Sequence, residues 1–497
     1  MSMRVSRLHW HKEVLGKYLS IESVAMNICR MFTALTAVIV VTGCCSPRFA
    51  RDFPIGCGNR SVAVLVEPAL LPSIRERLGQ FEADLCTAGY NTVKCTTGFG
   101  NPAELRAYLQ GLHGEPGCNL VGAILIGDLP HAYQWVTAHS ANPNIPSLSE
   151  EVISFQYYAD LNGTFSKSPT YTSPGGHLYS YDFHDGDVDW EIWVGVLPAY
   201  KGDPAQTAAA INRYFAKNHD FRMRRLVRPN VFLQISEHFS AATMDEHDSI
   251  MTAMRSGTYS WTPFSNAVGA RLYFDCPPAG LSVDQGYTDI QNGVADFAVV
   301  DTHGSWAASG DLTIEWVEAN PVQVLFFWSN GCAVGDLDHS DSFLTSVLYS
   351  PTSEVLIAKG TTNNSGGMGN NLNGFFGHNI ATALAAEEAY GDAVLSHINV
   401  PLISPWADSR EFHFGTVVVL GDPTLRRSND WWEQETYSLD CASRPPCTVC
   451  VRYDDGYIWL VRDAIQSWER TGDVQTAVGS TTRYEHIIGT NSVRISY

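Results

Sequence analysis

The stretch VQVLFFWSNGC, residues Val322 to Cys332, contains both a structural and a chemical signal. Its apolar run does not alternate with polar residues, which is typical of a strand buried on both faces of a parallel sheet. The run ends in Ser-Asn-Gly, a turn signal, and a cysteine follows at once. Cys332 is therefore either a small hydrophobe in a tight turn or a nucleophile at a strand end.

Similar short apolar runs occur along most of the chain, at 61–67, 121–127, 191–198, 231–236, 296–304, 354–360 and 416–422. Helical patterns lie between several of them, at 70–88, 204–218, 241–255 and 374–393. Strands that alternate with helices predict an α/β fold in which helices flank a mainly parallel sheet. We expect two α/β subdomains, an N-terminal one over 61–190 with an acidic insertion and a second over 191–427.

The two ends of the chain differ from this middle part. Residues 1–43 are predicted to be a signal region, with the signal peptide at 26–43, because a short apolar stretch follows an arginine and ends in small residues. Val-Thr-Gly-Cys at 41–44 resembles a bacterial lipobox, so Cys44 is predicted to carry lipid and to start a linker over 44–60. A buried N-terminal helix is the alternative. Residues 428–497 form an extension in which the strand and helix pattern fades.

Composition narrows the choice of partners. The net charge is −20, from 52 acidic and 32 basic residues, which argues against nucleic acid or an anionic membrane surface. We expect protein or peptide substrates, and membrane contact only through the N-terminal lipid of an exported bacterial lipoprotein. Twelve cysteines fit export to an oxidising compartment. The candidates for disulfides are Cys57, Cys86, Cys95, Cys118, Cys276, Cys441, Cys447 and Cys450.

A histidine and a cysteine follow consecutive predicted strands. His303 and Gly304 end the run at 296–304, and Cys332 ends the next run along the chain. Functional groups gather beyond the carboxyl ends of parallel strands, so the two side chains are expected to meet. An imidazole keeps a thiol reactive, and the N–H groups of Gly304 and Cys332 would form an oxyanion hole. The predicted chemistry is acyl transfer through a thioester, although each residue taken alone is more often structural.

Several segments resemble the gingipain family of caspase-like cysteine peptidases, in order over 61–427. They are NGCAVGDLDHSDSFL at 330–344, YYADLNG at 157–163, VDWEIWVGVLP at 188–198 and VVVLGDPTLR at 417–426. The resemblance implies a caspase-like fold and an endopeptidase that requires no cofactor for catalysis. It implies that Cys332 is the nucleophile, that His303 is the general acid and base, and that Glu191 orients the histidine. A solvated carboxylate is the alternative for Glu191.

The chain departs from the family pattern beside the site. Val196 stands where an arginine is common, and Gly331 precedes the nucleophile where alanine or serine is commoner, which loosens the turn. A structural Ca²⁺ site is a further prediction, because hard oxygen ligands cluster in the acidic insertion. Its candidate ligands are Asp160, Asn162, Asp185, Asp187 and Asp189. An exposed acidic loop explains the same residues.

Two other functions use the same residues or the same fold. A thiol transpeptidase, a sortase-like acyl transferase, needs the same cysteine and histidine together with an amine acceptor. A catalytically silent surface-binding module would retain the fold alone. The presence of both His303 and Cys332 disfavours the silent module.

Overall fold

A computed structural model of the chain describes residues 59–138, 148–236, 269–274, 283–362, 388–399, 416–427, 436–439, 447–451, 483–487 and 492–496. The predicted signal region, Cys44 and nearly all of the linker to residue 60 lie outside these ranges. Within them, no helix is long and apolar enough to cross a bilayer.

The secondary structure alternates as the sequence predicts. The helices are α1 Leu71–Thr87, α2 Pro102–His113, α3 Gln156–Ala159, α4 Pro204–Arg222, α5 Val283–Gln291, α6 Ile314–Ala319, α7 Phe343–Tyr349 and α8 Tyr390–Ile398. The strands up to residue 198 are β1 Arg60–Val66, β2 Tyr90–Cys95, β3 Leu120–Gly127, β4 Tyr133–Ala138, β5 Leu148–Ile153, β6 Thr164–Ser166, β7 Ser180–Tyr181, β8 Phe183–Asp185 and β9 Trp193–Pro198. Those that follow are β10 Val231–Ser236, β11 Gly269–Phe274, β12 Phe297–Asp301, β13 Gly304–Ser305, β14 Ala308–Ser309, β15 Leu312–Thr313, β16 Phe326–Ser329, β17 Ile357–Thr361, β18 Val417–Gly421, β19 Thr436–Leu439, β20 Cys447–Val451, β21 Arg483–Ile487 and β22 Ser492–Ser496.

One large sheet organises the described residues. Its ten strands lie in the order β11-β10-β12-β16-β17-β18-β9-β3-β1-β2. Neighbouring strands are parallel in eight of the nine pairs, and only β17 and β18 are antiparallel. The prediction of an α/β fold with a mainly parallel sheet flanked by helices is confirmed.

The antiparallel pair divides the sheet into two blocks that run in opposite directions. The carboxyl ends of β12, β16 and β17 therefore lie at the same edge as the amino end of β9. The predicted boundary at 190/191 does not separate two sheets, because β9 pairs with β3 through Trp193 and Gly122. The two predicted subdomains share one sheet.

The strands of this sheet have the burial expected from their composition. All four residues of β16 are buried, and Val62 to Val66 in β1 are at most 1% exposed. Helices cover the apolar side chains, as α1 and α4 do where Phe81 stacks on Phe215 with ring centroids 4.7 Å apart. The core therefore lies on both faces of the sheet.

The cysteines are only partly paired as predicted. Cys86 and Cys95 are both in disulfides. Cys118, also a bridge candidate, retains a buried thiol, and burial raises its pKa. Export to an oxidising compartment stays a prediction.

Candidate active site

The loops that carry His303 and Cys332 leave adjacent strands. β12 and β16 are parallel neighbours with Val300 opposite Ser329, and Asn330 N–H donates to Val300 O at 2.9 Å. The His303 side chain is exposed. Cys332 is half-buried and is not in a disulfide. The structure therefore places the two loops side by side, and neither residue is enclosed in the core.

The two loops touch through glycine. A Cβ added to Gly304 would lie 2.7 Å from the Cα of Gly331 and 2.8 Å from the backbone nitrogen of Cys332. A Cβ added to Gly331 would lie 2.9 Å from the Cα of Gly304. Cβ contacts shorter than 3.0 Å are essentially never observed. Glycine at both positions is what allows the two backbones to approach this closely.

Thr361, at the end of β17, holds the turn around Cys332. Its hydroxyl donates to Gly331 O at 3.0 Å, and its carbonyl accepts from Gly335 N–H at 2.9 Å. Between these two contacts Ala333 has a φ of 54°, a left-handed conformation that costs a non-glycine residue about 1–2 kcal/mol. Strained residues of this kind persist where the surrounding structure fixes them.

The two hydrogen bonds of Thr361, called the Thr361 clamp below, also orient a backbone donor. The carbonyl of Gly331 and the N–H of Cys332 belong to one planar peptide group and point in opposite directions. Because the carbonyl points to Thr361, the N–H points to the other side of the turn, where Gly304 lies. The two residues predicted to form the oxyanion hole are thus neighbours.

Two stacked pairs of rings lie beside the cysteine loop, and sequence reasoning missed both. Trp306, 39% exposed, stacks on His339 with centroids 4.2 Å apart and joins the histidine loop to the cysteine loop. Tyr133 stacks on His177 at 3.5 Å, and its hydroxyl donates to Asp338 at 2.6 Å. The proximity of Trp306 to His303 in sequence was the only signal.

Glu191 is placed away from His303. It precedes β9, which is separated from β12 by three strands, or about 19 Å at the usual strand spacing. Its carboxylate accepts from the N–H groups of Leu161 and Asn162 at 2.6 and 3.2 Å, and from Asn162 Nδ2 at 2.5 Å. Burial raises the pKa of Glu191. The Glu191 carboxylate therefore binds the loop at Leu161 and Asn162, and the structure does not bring it to His303.

The predicted calcium ligands do not form one cluster. Asp160 is fully buried, and its carboxylate contacts His184 Nε2 at 2.7 Å and Gly163 N–H at 2.6 Å. Asn162 donates to Glu191, Asp185 is in β8, and Asp187 accepts from Asp189 N–H at 3.3 Å. Among the described residues, no group of three or more His, Cys, Asp or Glu side chains is arranged to hold a metal. The calcium site stays a prediction that this arrangement does not favour.

Comparison with known proteins gives likenesses of structure and none of sequence. No protein-family model matches the chain, and no curated protein matches it. A complex of the pro- and mature domains of RgpB from Porphyromonas gingivalis has a TM-score of 0.49 and 14% identity, over 74% of this chain and 79% of that chain. The Arg-specific cysteine proteinase gingipain R (RgpB) has a TM-score of 0.48 and 13% identity, over 74% and 78%. Membership of the gingipain family therefore stays a prediction.

Proposed function

We propose that the chain is an exported cysteine endopeptidase that cleaves peptide bonds with Cys332 and His303. The observation that supports this most directly is the contact between Gly304 and Gly331, which brings the two loops together at the carboxyl ends of β12 and β16. An accessible thiol, an exposed imidazole and two adjacent backbone donors are the parts that acyl transfer requires.

In the first half of the proposed reaction, the thiolate of Cys332 attacks the carbonyl carbon of the peptide bond, and a C–S bond forms. The N–H groups of Gly304 and Cys332 stabilise the oxyanion. As the intermediate collapses, the C–N bond breaks and His303 gives its proton to the leaving amine. In the second half, His303 takes a proton from water and the resulting hydroxide adds to the thioester carbon. The C–S bond then breaks, which releases the acid product and restores the Cys332 thiolate beside protonated His303.

Covalent labelling tests this proposal. Purified protein is treated with peptidyl acyloxymethyl ketones that carry Arg, Lys, Asn or Asp, and the labelled residue is identified by mass spectrometry. We expect labelling of Cys332 that is absent in Cys332→Ala and at least about 100-fold slower in His303→Ala. Cys118→Ala, which removes a buried thiol, is the matched control and should label normally. A folded protein that no reagent labels would instead be the silent binding module.

Product analysis separates hydrolysis from transpeptidation. A labelled peptide substrate is incubated with and without a peptide amine acceptor, and the products are identified by mass. The endopeptidase gives the free acid in both cases. A ligated product as the main species would assign the chain to the transpeptidases.

We also propose that the protein is held at a bacterial membrane through a lipid on Cys44, as the Val-Thr-Gly-Cys sequence predicts. Membrane fractionation of cells that express the full chain is the test. Cys44→Ser should move the protein to the soluble fraction, while an unchanged distribution would overturn the lipid anchor.

A further inference from the structure

Three buried hydroxyl groups connect the loop of His303 to the loop of Cys332. Thr302 precedes the histidine, Ser309 lies in β14, and Ser329 ends β16. Their exposed fractions are 4%, 0% and 1%. Ser309 Oγ lies 2.7 Å from Ser329 Oγ and 3.3 Å from Thr302 Oγ1. The three oxygens therefore form a continuous buried path under both loops.

Each end of the path is attached to the backbone of one loop. Thr302 Oγ1 donates to His303 O at 2.8 Å, and Gly310 N–H donates to the same carbonyl at 2.7 Å. At the other end, Gly331 N–H donates to Ser329 Oγ at 3.1 Å. The Asn330–Gly331 peptide group and the carbonyl of His303 are thus the two ends of one hydrogen-bonded chain.

The number of protons sets the direction of this chain. A hydroxyl carries one proton and accepts through its lone pairs. Thr302 donates to His303 O, and Ser329 accepts from Gly331 N–H. Each of the three hydroxyl protons then has an acceptor when Ser329 donates to Ser309 and Ser309 donates to Thr302. All the bonds then run from the cysteine loop to the histidine, and a chain of that kind strengthens each of its bonds.

We infer that Ser309 is a positioning residue that fixes His303 relative to Cys332 through its bonds to Thr302 and Ser329. This inference rests on the proposed function, because it assigns a purpose to the spacing of the two loops. Ser309 touches neither side chain, and it acts only on the backbones that carry them. Its loss leaves Ser329 and Thr302 without their shared partner in a buried site, which such groups tolerate poorly.

The test measures the rate at which iodoacetamide alkylates Cys332 as a function of pH. Mass spectrometry of the peptide that contains Cys332 gives the extent of alkylation. His303→Ala sets the reference, because loss of the imidazole should move half-maximal alkylation to higher pH. We expect Ser309→Ala to move it in the same direction by roughly half a pH unit and to slow peptide cleavage about tenfold. Ser309→Cys retains a weak donor and should restore part of both.

Ser353→Ala is the matched control, because its buried hydroxyl also bridges backbone groups, Val355 N–H and Val347 O, at the other end of β17. It should lower the melting temperature and leave the pH profile of Cys332 unchanged. If His303→Ala moves the profile and Ser309→Ala does not, the positioning role is wrong. If His303→Ala itself has no effect, the proposed Cys-His pair fails, and the two failures are distinguishable.

Discussion

Gly304 and Gly331 face each other across the candidate site so closely that a Cβ on either would lie less than 3.0 Å from the Cα of the other. One glycine follows His303 and the other precedes Cys332. The distance between the two loops is therefore set by backbone contact, and the small residue at each position is a requirement of the geometry. The sequence predicted that Gly331 loosens the turn before Cys332. In the structure Gly331 is one half of this contact.

Gly304→Ala should disable the site. The new methyl group would meet Gly331 Cα, Val334 Cγ1 and Cys332 N, all within 2.8 Å, so the loops must separate. We expect a cost of about 1–3 kcal/mol in unfolding free energy and a loss of about 100-fold or more in labelling rate, because an oxyanion donor moves. Urea unfolding and the rate of acyloxymethyl ketone labelling measure the two effects.

Gly79→Ala is the control for that change. Gly79 lies in α1, and apart from its own helix backbone no atom lies within 4 Å of the added Cβ. Alanine there should stabilise the helix by about 0.5–1 kcal/mol without altering labelling. Normal labelling in Gly304→Ala would mean that the close contact is not needed for the chemistry.

Thr361→Val should show how much the orientation of the turn contributes to labelling, apart from its contribution to stability. The substitution preserves shape but removes the hydroxyl that donates to Gly331 O, so the peptide group before Cys332 loses its anchor. We expect labelling to slow about tenfold with a loss of about 1 kcal/mol in stability. Thr361→Ser retains the donor and should label at nearly the normal rate. Equal rates in the valine and serine variants would contradict the Thr361 clamp.

Glu191→Gln tests whether this carboxylate serves the loop or the histidine. The amide cannot accept at both of its positions, so one of the bonds to Leu161 and Asn162 is lost and stability should fall by about 1–2 kcal/mol. Labelling of Cys332 should change by less than about threefold, because β9 and β12 are well separated. Glu67→Gln, which removes a carboxylate that holds Asp128 N–H, is the matched control. A large loss of labelling with unchanged stability would restore the catalytic role of Glu191.

The sequence was sufficient to predict the parts of the site that depend on strand order. Apolar runs without alternation mark strands buried on both faces, and consecutive parallel strands tend to be neighbours, so His303 and Cys332 could be placed at adjacent strand ends. Those two inferences needed no knowledge of side-chain contacts.

The features that sequence reasoning could not place depend on the direction and pairing of distant strands. Glu191 shares an edge with the site only because β18 reverses the sheet, and no local pattern reveals that three strands separate β9 from β12. The hydroxyls of Ser309 and Ser329 were equally hidden, since serine in a short strand is usually solvated. Ser309 and Ser329 meet because the fold brings β14 to the end of β16.

Lys359 lies buried in β17, 8% exposed, with its ammonium group 5.0 Å from the ring centroid of Trp328. Burial lowers the pKa of Lys359 to about 8. The unfolded chain retains the ordinary value near 10.5. Between pH 8 and pH 10.5 the unfolded state therefore binds more protons than the folded state, and stability should rise with pH through that window. Below pH 8 Lys359 is protonated in both states, so it adds no further pH dependence to the stability.

Lys359→Met removes the buried charge and the pH dependence together. At pH 7 the variant should be more stable than the natural chain by up to about 3 kcal/mol, less whatever the cation–π contact with Trp328 contributes. The difference should shrink as pH rises toward 10.5, because the lysine then becomes neutral in the natural chain. Urea unfolding at pH 7, 8, 9 and 10 measures it, with Lys94→Met, an exposed lysine paired with Glu82, as the control. Parallel curves for Lys359→Met and the natural chain would mean that the buried amine titrates alike in the folded and unfolded states.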